Sequence, residues 1–362
     1  MEELLASAEA LIAIRSTADR PGDLHRALGL ALDLVGPGFD VRRFESHGKP
    51  SALITHPDRP GRPRVILNGH LDVVPGAPEQ FRARREGDRL YGRGTHDMKV
   101  AALVLATVFR ELAGELPYPI ALQLVTDEEV GGFDGTGHQV AQGVRGDFVI
   151  IGEQSGLRVV TESKGLVQAR LIASGQAAHA AYPWLGANAL LSVITAINRL
   201  LDRYPAPAGE AWTTTVNVAR IETGNEAVNQ VPADATAWLD IRYPPEDAGL
   251  TGRSPAEIAE RLGAIAGPGV EVVVDAVGTP HRADPETAQV RALRAAVQAA
   301  GHPGSLLRKH GAADSRFYFP LGIGAVIFGP TGDGQHGPDE YLEISSLRPY
   351  HEALSRFLTS HP

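Results

Sequence analysis

The chain has 362 residues, of which 43% are hydrophobic and 21% charged, with a net charge of −9 and no cysteine. That length exceeds what one hydrophobic core usually fills and predicts two domains, while the ordinary balance of apolar and charged residues excludes a disordered chain. An acidic chain without a basic face excludes a nucleic-acid partner, the lack of cysteine excludes a disulfide framework, and no apolar run approaches the roughly 20 residues needed to span a bilayer.

The amino-terminal segment MEELLASAEALIAIRS is acidic and amphipathic, unlike a signal peptide, which places the protein in the cytoplasm. Its helical pattern breaks at Arg20-Pro21-Gly22, and a second helix is expected from about Asp23, a good cap residue. Up to about Glu162 helix and strand patterns alternate. The runs RVILNG, IALQLV and FVIIG are apolar throughout, as parallel strands covered on both faces are. Between the first two, the Gly-rich LYGRGTHDMKV opens a helix over Met98 to Leu112. Residues 163–276 read as strand (LVQARLIASG), helix (ANALLSVITAINRLLDRY), two strands (TTTVNVARIE, ATAWLDIRY), helix (SPAEIAERLGAIA) and strand (VEVVVDAV). That β-α-β-β-α-β order is the split, ferredoxin-like arrangement and forms a complete unit. A helix capped near Asp284, the strand AVIFGP and a last helix from about Ser345 to Leu358 follow. The expected fold is α/β: a mostly parallel sheet over 1–162 and 277–362, interrupted by an inserted domain over 163–276.

Four strand-like runs each end in a residue type that binds metals: His70, the triplet Asp127-Glu128-Glu129, Glu153 and, a little further on, His336. Ligands of open α/β sheets sit beyond the carboxyl ends of the strands, so these side chains can converge. Asp97 lies on the Gly-rich turn, where it could equally serve as an N-cap for the helix. Imidazole and carboxylate without thiolate suit a catalytic zinc, cobalt or manganese better than a closed structural zinc site. Asp72 is placed to accept the other ring N–H of His70. Adjacent carboxylates repel unless cations or solvent take up the charge, and Gly131-Gly132 marks a loop that approaches something closely. Glu128 and Glu129 point in different directions, so one can bind metal while the other moves protons. His25, His47, His56, His138 and His302 have no such context and are read as surface residues.

At these residues the chain resembles the binuclear zinc amidohydrolase and exopeptidase family of acetylornithine deacetylase, succinyl-diaminopimelate desuccinylase, aminoacylase and glutamate carboxypeptidase. The likeness covers nearly the whole chain through NGHLDVVPG, LYGRGTHDMK, VTDEEVGG, GEQSG, SGQAAHAAYPWLGANAL and GPTGDGQHGPDEY. It implies two Zn2+ per chain, with Co2+ or Mn2+ as substitutes: Asp97 bridges, His70 and Glu153 complete one site, Glu129 and His336 the other, and Glu128 is the general base. It implies that the inserted domain is a lid that forms a homodimer, with His179 reaching the partner's active site to polarise the scissile carbonyl. Asn229 and Arg242 look like groups that hold the substrate, although an arginine paired with a nearby carboxylate fits Arg242 equally. The segment GAADSRF (residues 311–317) resembles a further substrate-facing loop.

Gln154-Ser155 stands where many relatives have Pro-Thr, and Val100 replaces a frequent glycine; neither removes a ligand or the base. The implied reaction is hydrolysis of the amide of an N-acyl amino acid or related peptide-like molecule by a metal-activated water. A metallo-carboxypeptidase or dipeptidase of the same family is the alternative. A zinc aminopeptidase fits less well because of the inserted domain with His179, as does a non-catalytic binding protein because Glu128 is retained.

Overall fold

The computed structural model describes residues 1–360. The chain divides into two compact units, one made of Met1–Glu162, Arg282–Arg308 and the segment from Ala313 onward, the other of Ser163–His281 with Lys309–Ala312. Among the described residues no helix is long and apolar enough to cross a membrane.

The first unit is built on a nine-stranded sheet. Its centre runs in the order Ile120–Val125, Val65–His70, Phe148–Ile151, Gly324–Ile327, all parallel. The first three of these strands are buried at every residue, which explains their lack of alternation. The sheet is mixed at its margins. Asp40–Ser46 and Lys49–Thr55 form a hairpin that lies antiparallel to Ile120–Val125. Its two-residue turn, His47-Gly48, has positive φ at both positions, the backbone form that matches strand twist. The helix Lys99–Leu112 is buried nearly throughout and packs in one core with Glu2–Ile12, Pro21–Val35, Ala288–Ala299 and Leu347–Ser360. Buried Lys99 ties the amino-terminal helix down by donating to the carbonyls of Leu11 (3.0 Å) and Ile14 (2.7 Å), and burial brings its pKa down to about 7.

Three helix starts differ from expectation. The second helix begins at Pro21, because proline's fixed φ and missing N–H suit the first helical position; Asp23 lies inside it and is gripped by Arg20 and Arg26. Thr287, not Asp284, caps Ala288–Ala299, its hydroxyl accepting from the Val290 amide. The last helix begins at Leu347, after a single 3-10 turn over Ile344–Ser346.

The second unit has the expected β-α-β-β-α-β order: Gly165–Ser174, Ala189–Arg203, Thr215–Glu222, Asp234–Tyr243, Pro255–Ala266 and Glu271–Gly278. The last strand runs past residue 276 because its pairing continues to Gly278 opposite Leu166. Its four strands are antiparallel in the order Thr215–Glu222, Asp234–Tyr243, Gly165–Ser174, Glu271–Gly278. Alternate residues Val167, Ala169, Leu171 and Ala173 face the core, and Val193, Ala196, Ile197 and Leu200 of the first helix join them. Ser254 and Glu257 form a capping box on the second helix. In the first unit, the Ala283 amide donates to the Thr161 carbonyl (2.7 Å), so the chain leaves that unit and returns to it at one point.

Candidate metal centre

His70 is the last residue of its strand and is buried. Its Nε2 lies 2.9 Å from Asp97 Oδ1, while Nδ1 lies 3.1 Å from the Asp72 carbonyl and 3.4 Å from its carboxylate. Burial alone would lower its pKa, but hydrogen bonds to Asp72 and Asp97 drive it well above the usual histidine range. Asp72 does more than orient the ring, because its two oxygens accept the amides of Glu128 (3.2 Å) and Glu129 (3.0 Å). One buried carboxylate thus joins the end of one strand to the loop after its neighbour.

That loop is shaped by the third acid of the triplet. Asp127 accepts the Asp134 amide at 2.7 Å, and a Cβ on Gly135 would overlap it. Gly132 has φ +65° and sits so close to Asp314 that any side chain there would collide with it. Asp127 is therefore the pin of the loop, which leaves Glu128 and Glu129 to face the cleft. Burial, then the charge of Glu153, pushes Glu128 well above the usual carboxylate range.

The donors gather into two groups, His70 with Glu128 and Glu153, and Asp97 with Glu129 and His336; within each, one donor atom per residue lies within 4.8 Å of the others. His336 Nε2 is 3.1 Å from Glu129 and 3.4 Å from Asp97 Oδ2. Asp97 turns one oxygen to His70 and the other to His336, so its carboxylate stands between the groups. It caps nothing: the helix begins at Lys99 and has no side-chain cap. His336 is half exposed and takes a left-handed backbone, φ 60°. Hydrogen bonds to Asp97 and Glu129 raise its pKa to about 10. Nitrogen and oxygen donors packed against one another, with several carboxylates held off their normal titration, fit hard or borderline divalent cations.

Sequence reasoning missed three neighbours. Gln335 donates its amide N–H to Asp97 Oδ2. Arg93 and Glu340 form a buried ion pair at 2.6 Å beside the same turn. Both lie in segments already marked as motifs, but only their spacing to Asp97 and His336 was available to mark them. Beside Glu153, Ser155 ties down Gly329 by two hydrogen bonds, and Val100 is absorbed in the helix core. The Gln154 side chain is buried with no hydrogen-bond partner among the described residues.

The remaining sequence candidates belong to the second unit. His179 and Asn229 are exposed and adjacent, through a bridge from His179 to Gln230 and an Ala180 amide that donates to the Asn229 carbonyl (2.9 Å). Arg242 grips Asp240 with two hydrogen bonds of 2.6 and 3.0 Å, and with Lys164 and His310 it lines a cavity of about 270 Å³. A hairpin does not bring Arg242 and Asn229 together. The strand Asp234–Tyr243 runs between them, and its eight steps from Asp234 to Arg242 span about 26 Å.

Residues 66–360 match the model of the Peptidase family M20/M25/M40. The chain is 31% identical to a succinyl-diaminopimelate desuccinylase of Alkalilimnicola ehrlichii over 99% of this chain and 100% of the relative. It is 30% identical to the enzyme of that name from Gluconacetobacter diazotrophicus over 95% and 94%. Among solved structures, the M20 family metallo-carboxypeptidase Sso-CP2 of Sulfolobus solfataricus shares the fold with a TM-score of 0.79 at 19% identity, covering 99% of each chain. Human carnosine dipeptidase 1 does so with a TM-score of 0.71 at 15% identity, covering 99% and 96%. The chain belongs to the Peptidase family M20/M25/M40 and is a metal-dependent hydrolase of amide bonds.

Proposed function

We propose that this enzyme removes the acyl group from an N-acyl amino acid that keeps a free carboxylate, and that it works with two zinc ions, Co2+ or Mn2+ being workable substitutes. The observation that carries the reading is Asp97, whose two oxygens face the histidines of two separate donor groups. His70 and Glu153 would hold one ion, Glu129 and His336 the other, with Asp97 shared. Bound divalent cations supply an acidified water and a polarised carbonyl. Glu128 takes the proton from the attacking water and returns it to the leaving amine; its raised pKa suits a base that must also act as an acid. Asp72 keeps the Glu128 backbone and the His70 ring in register for this transfer.

The substrate class is supported by the relatives named desuccinylases and by the cationic lining of the Lys164, Arg242 and His310 cavity. Guanidinium binds carboxylate in parallel, and Arg242 already does so with Asp240. His179 and Asn229 stand at the opposite end of the strand Asp234–Tyr243 from Arg242, too far for one small substrate to touch all three within one chain. That separation supports a homodimer in which His179 and Asn229 serve the partner's site, with the second unit as lid and dimerisation element. A cytoplasmic location is part of the same reading.

The test is a screen of N-succinyl and N-acetyl amino acids and dipeptides with zinc-supplemented enzyme. Release of amine from an acyl amino acid, abolished by amidating its carboxylate, is expected. Turnover confined to dipeptides would replace this reading with the dipeptidase one.

A further inference from the structure

We propose that Arg93 and Glu340 are positioning residues that set the affinity of the Asp97, Glu129 and His336 group for its ion without touching that ion. The inference rests on the two-ion reading above. Glu340 is buried; its Oε1 accepts three successive amides of the turn before the long helix, from Gly94 (2.9 Å), His96 (3.0 Å) and Asp97 (3.2 Å). Its Oε2 accepts Nη1 of Arg93 at 2.6 Å. The other guanidinium nitrogen, Nη2, donates to the carbonyls of His336 (3.2 Å) and Gly337 (3.1 Å). A single ion pair therefore grips the backbone of Asp97 on one side and of His336 on the other.

The need for such a grip is local. His336 has φ 60°, a backbone form that a residue with a side chain rarely adopts and that its surroundings must hold. Gln80 adds hydrogen bonds to the carbonyls of Gly337 and Pro338, and its own carbonyl accepts the Arg93 amide. His70 and the Glu153 segment are fixed differently. His70 is paired in the sheet opposite Val125, and the Gly152 amide donates to the Asn68 carbonyl at 2.9 Å. One donor group rests on the sheet, the other on the ion pair. A buried ion pair often adds little net stability because both charges lose their water, so its placement between two donor-bearing segments is better explained by geometry.

The experiment titrates metal-free wild type, Glu340→Gln and Arg93→Lys with Zn2+ by calorimetry against a competing chelator, and records the melting temperature of each metal-free protein. Two binding events are expected in wild type. In the variants one event should stay within about threefold while the other weakens by about 10–100-fold, as for loss of a group that orients metal ligands. Excess zinc should then restore kcat, a rescue that general misfolding does not allow. Arg93→Lys keeps the charge but cannot span Glu340 and two carbonyls, so it provides a second route if Glu340→Gln does not fold. Equal weakening of both events, or no weakening of either, overturns the inference alone. Fewer than two ions in wild type would overturn the two-ion reading and this inference with it.

Discussion

Asp72, Asp127, Glu128 and Glu129 are four carboxylates within one small region, and each has a different task because each meets different neighbours. Asp72 accepts two amides, Asp127 pins its loop, and Glu128 and Glu129 fall into different donor groups. Glu128→Gln should therefore retain metal and substrate affinity while kcat falls by roughly 10²–10⁴-fold, as expected when a general base is removed. Glu129→Gln should instead lose metal from the group it shares with His336. Metal content and kcat measured on both variants check this, and the reverse pattern would exchange their roles. His70, Glu128, Glu129, Glu153 and His336 were legible because each follows an apolar strand-like run. Arg93 and Glu340 were not, since a charge in a polar loop reads the same whether it is solvated or buried. Arg242 left two readings open; the Asp240 pair realises the structural one while the cavity beside it keeps the other available.

The loop after Ile120–Val125 owes its shape to a buried polar network. Thr136 donates to Asp314 (2.5 Å) and accepts from Asn68 (3.0 Å); Asn68 and Tyr318 both donate to Gln123. The network ties the short helix Thr136–Ala141 to the 3-10 turn Asp314–Phe317 beneath the metal centre. Burial, then the charge of Asp127, raises Asp314 from 3.8 to about 7. A carboxyl with a raised folded-state pKa lends stability that is whole below its unfolded value and is lost as pH rises through the folded one. Metal-free Asp314→Asn should thus be no more stable than wild type near pH 4, yet melt at least about 2 °C higher at pH 8. A melting difference that does not change with pH would show that Asp314 is ionised throughout. None of these partners stood out in the chain, because Asn68 and Gln123 sit inside runs that read as plain strand. The strands themselves, and the β-α-β-β-α-β order, were legible from period and composition. The hairpin at Asp40–Thr55 was not singled out, its outer strand being mostly exposed and charged.

The dimer proposal belongs to the molecule as a whole. Mixing inactive His179→Ala chains with inactive Glu128→Ala chains under subunit exchange should restore up to about a quarter of wild-type activity, since half of the molecules become heterodimers and each has one intact site. Heterodimers without activity would remove the trans role of His179. Exposed Trp184, Leu185 and Leu191 lie near His179 in sequence, and a dimer that shields them should also quench or shift tryptophan emission on association.

The hydrogen bond between Ala283 and Thr161 has a consequence for how such a molecule diversifies. Everything from residue 163 to 281 hangs from one doorway in the wall of the first unit. The metal donors all lie outside that stretch, so natural variation can lengthen, reshape or exchange the insert while the hydrolytic machinery stays where it is. Selectivity and chemistry then answer to mutation separately, as a tool holder and its interchangeable bits do.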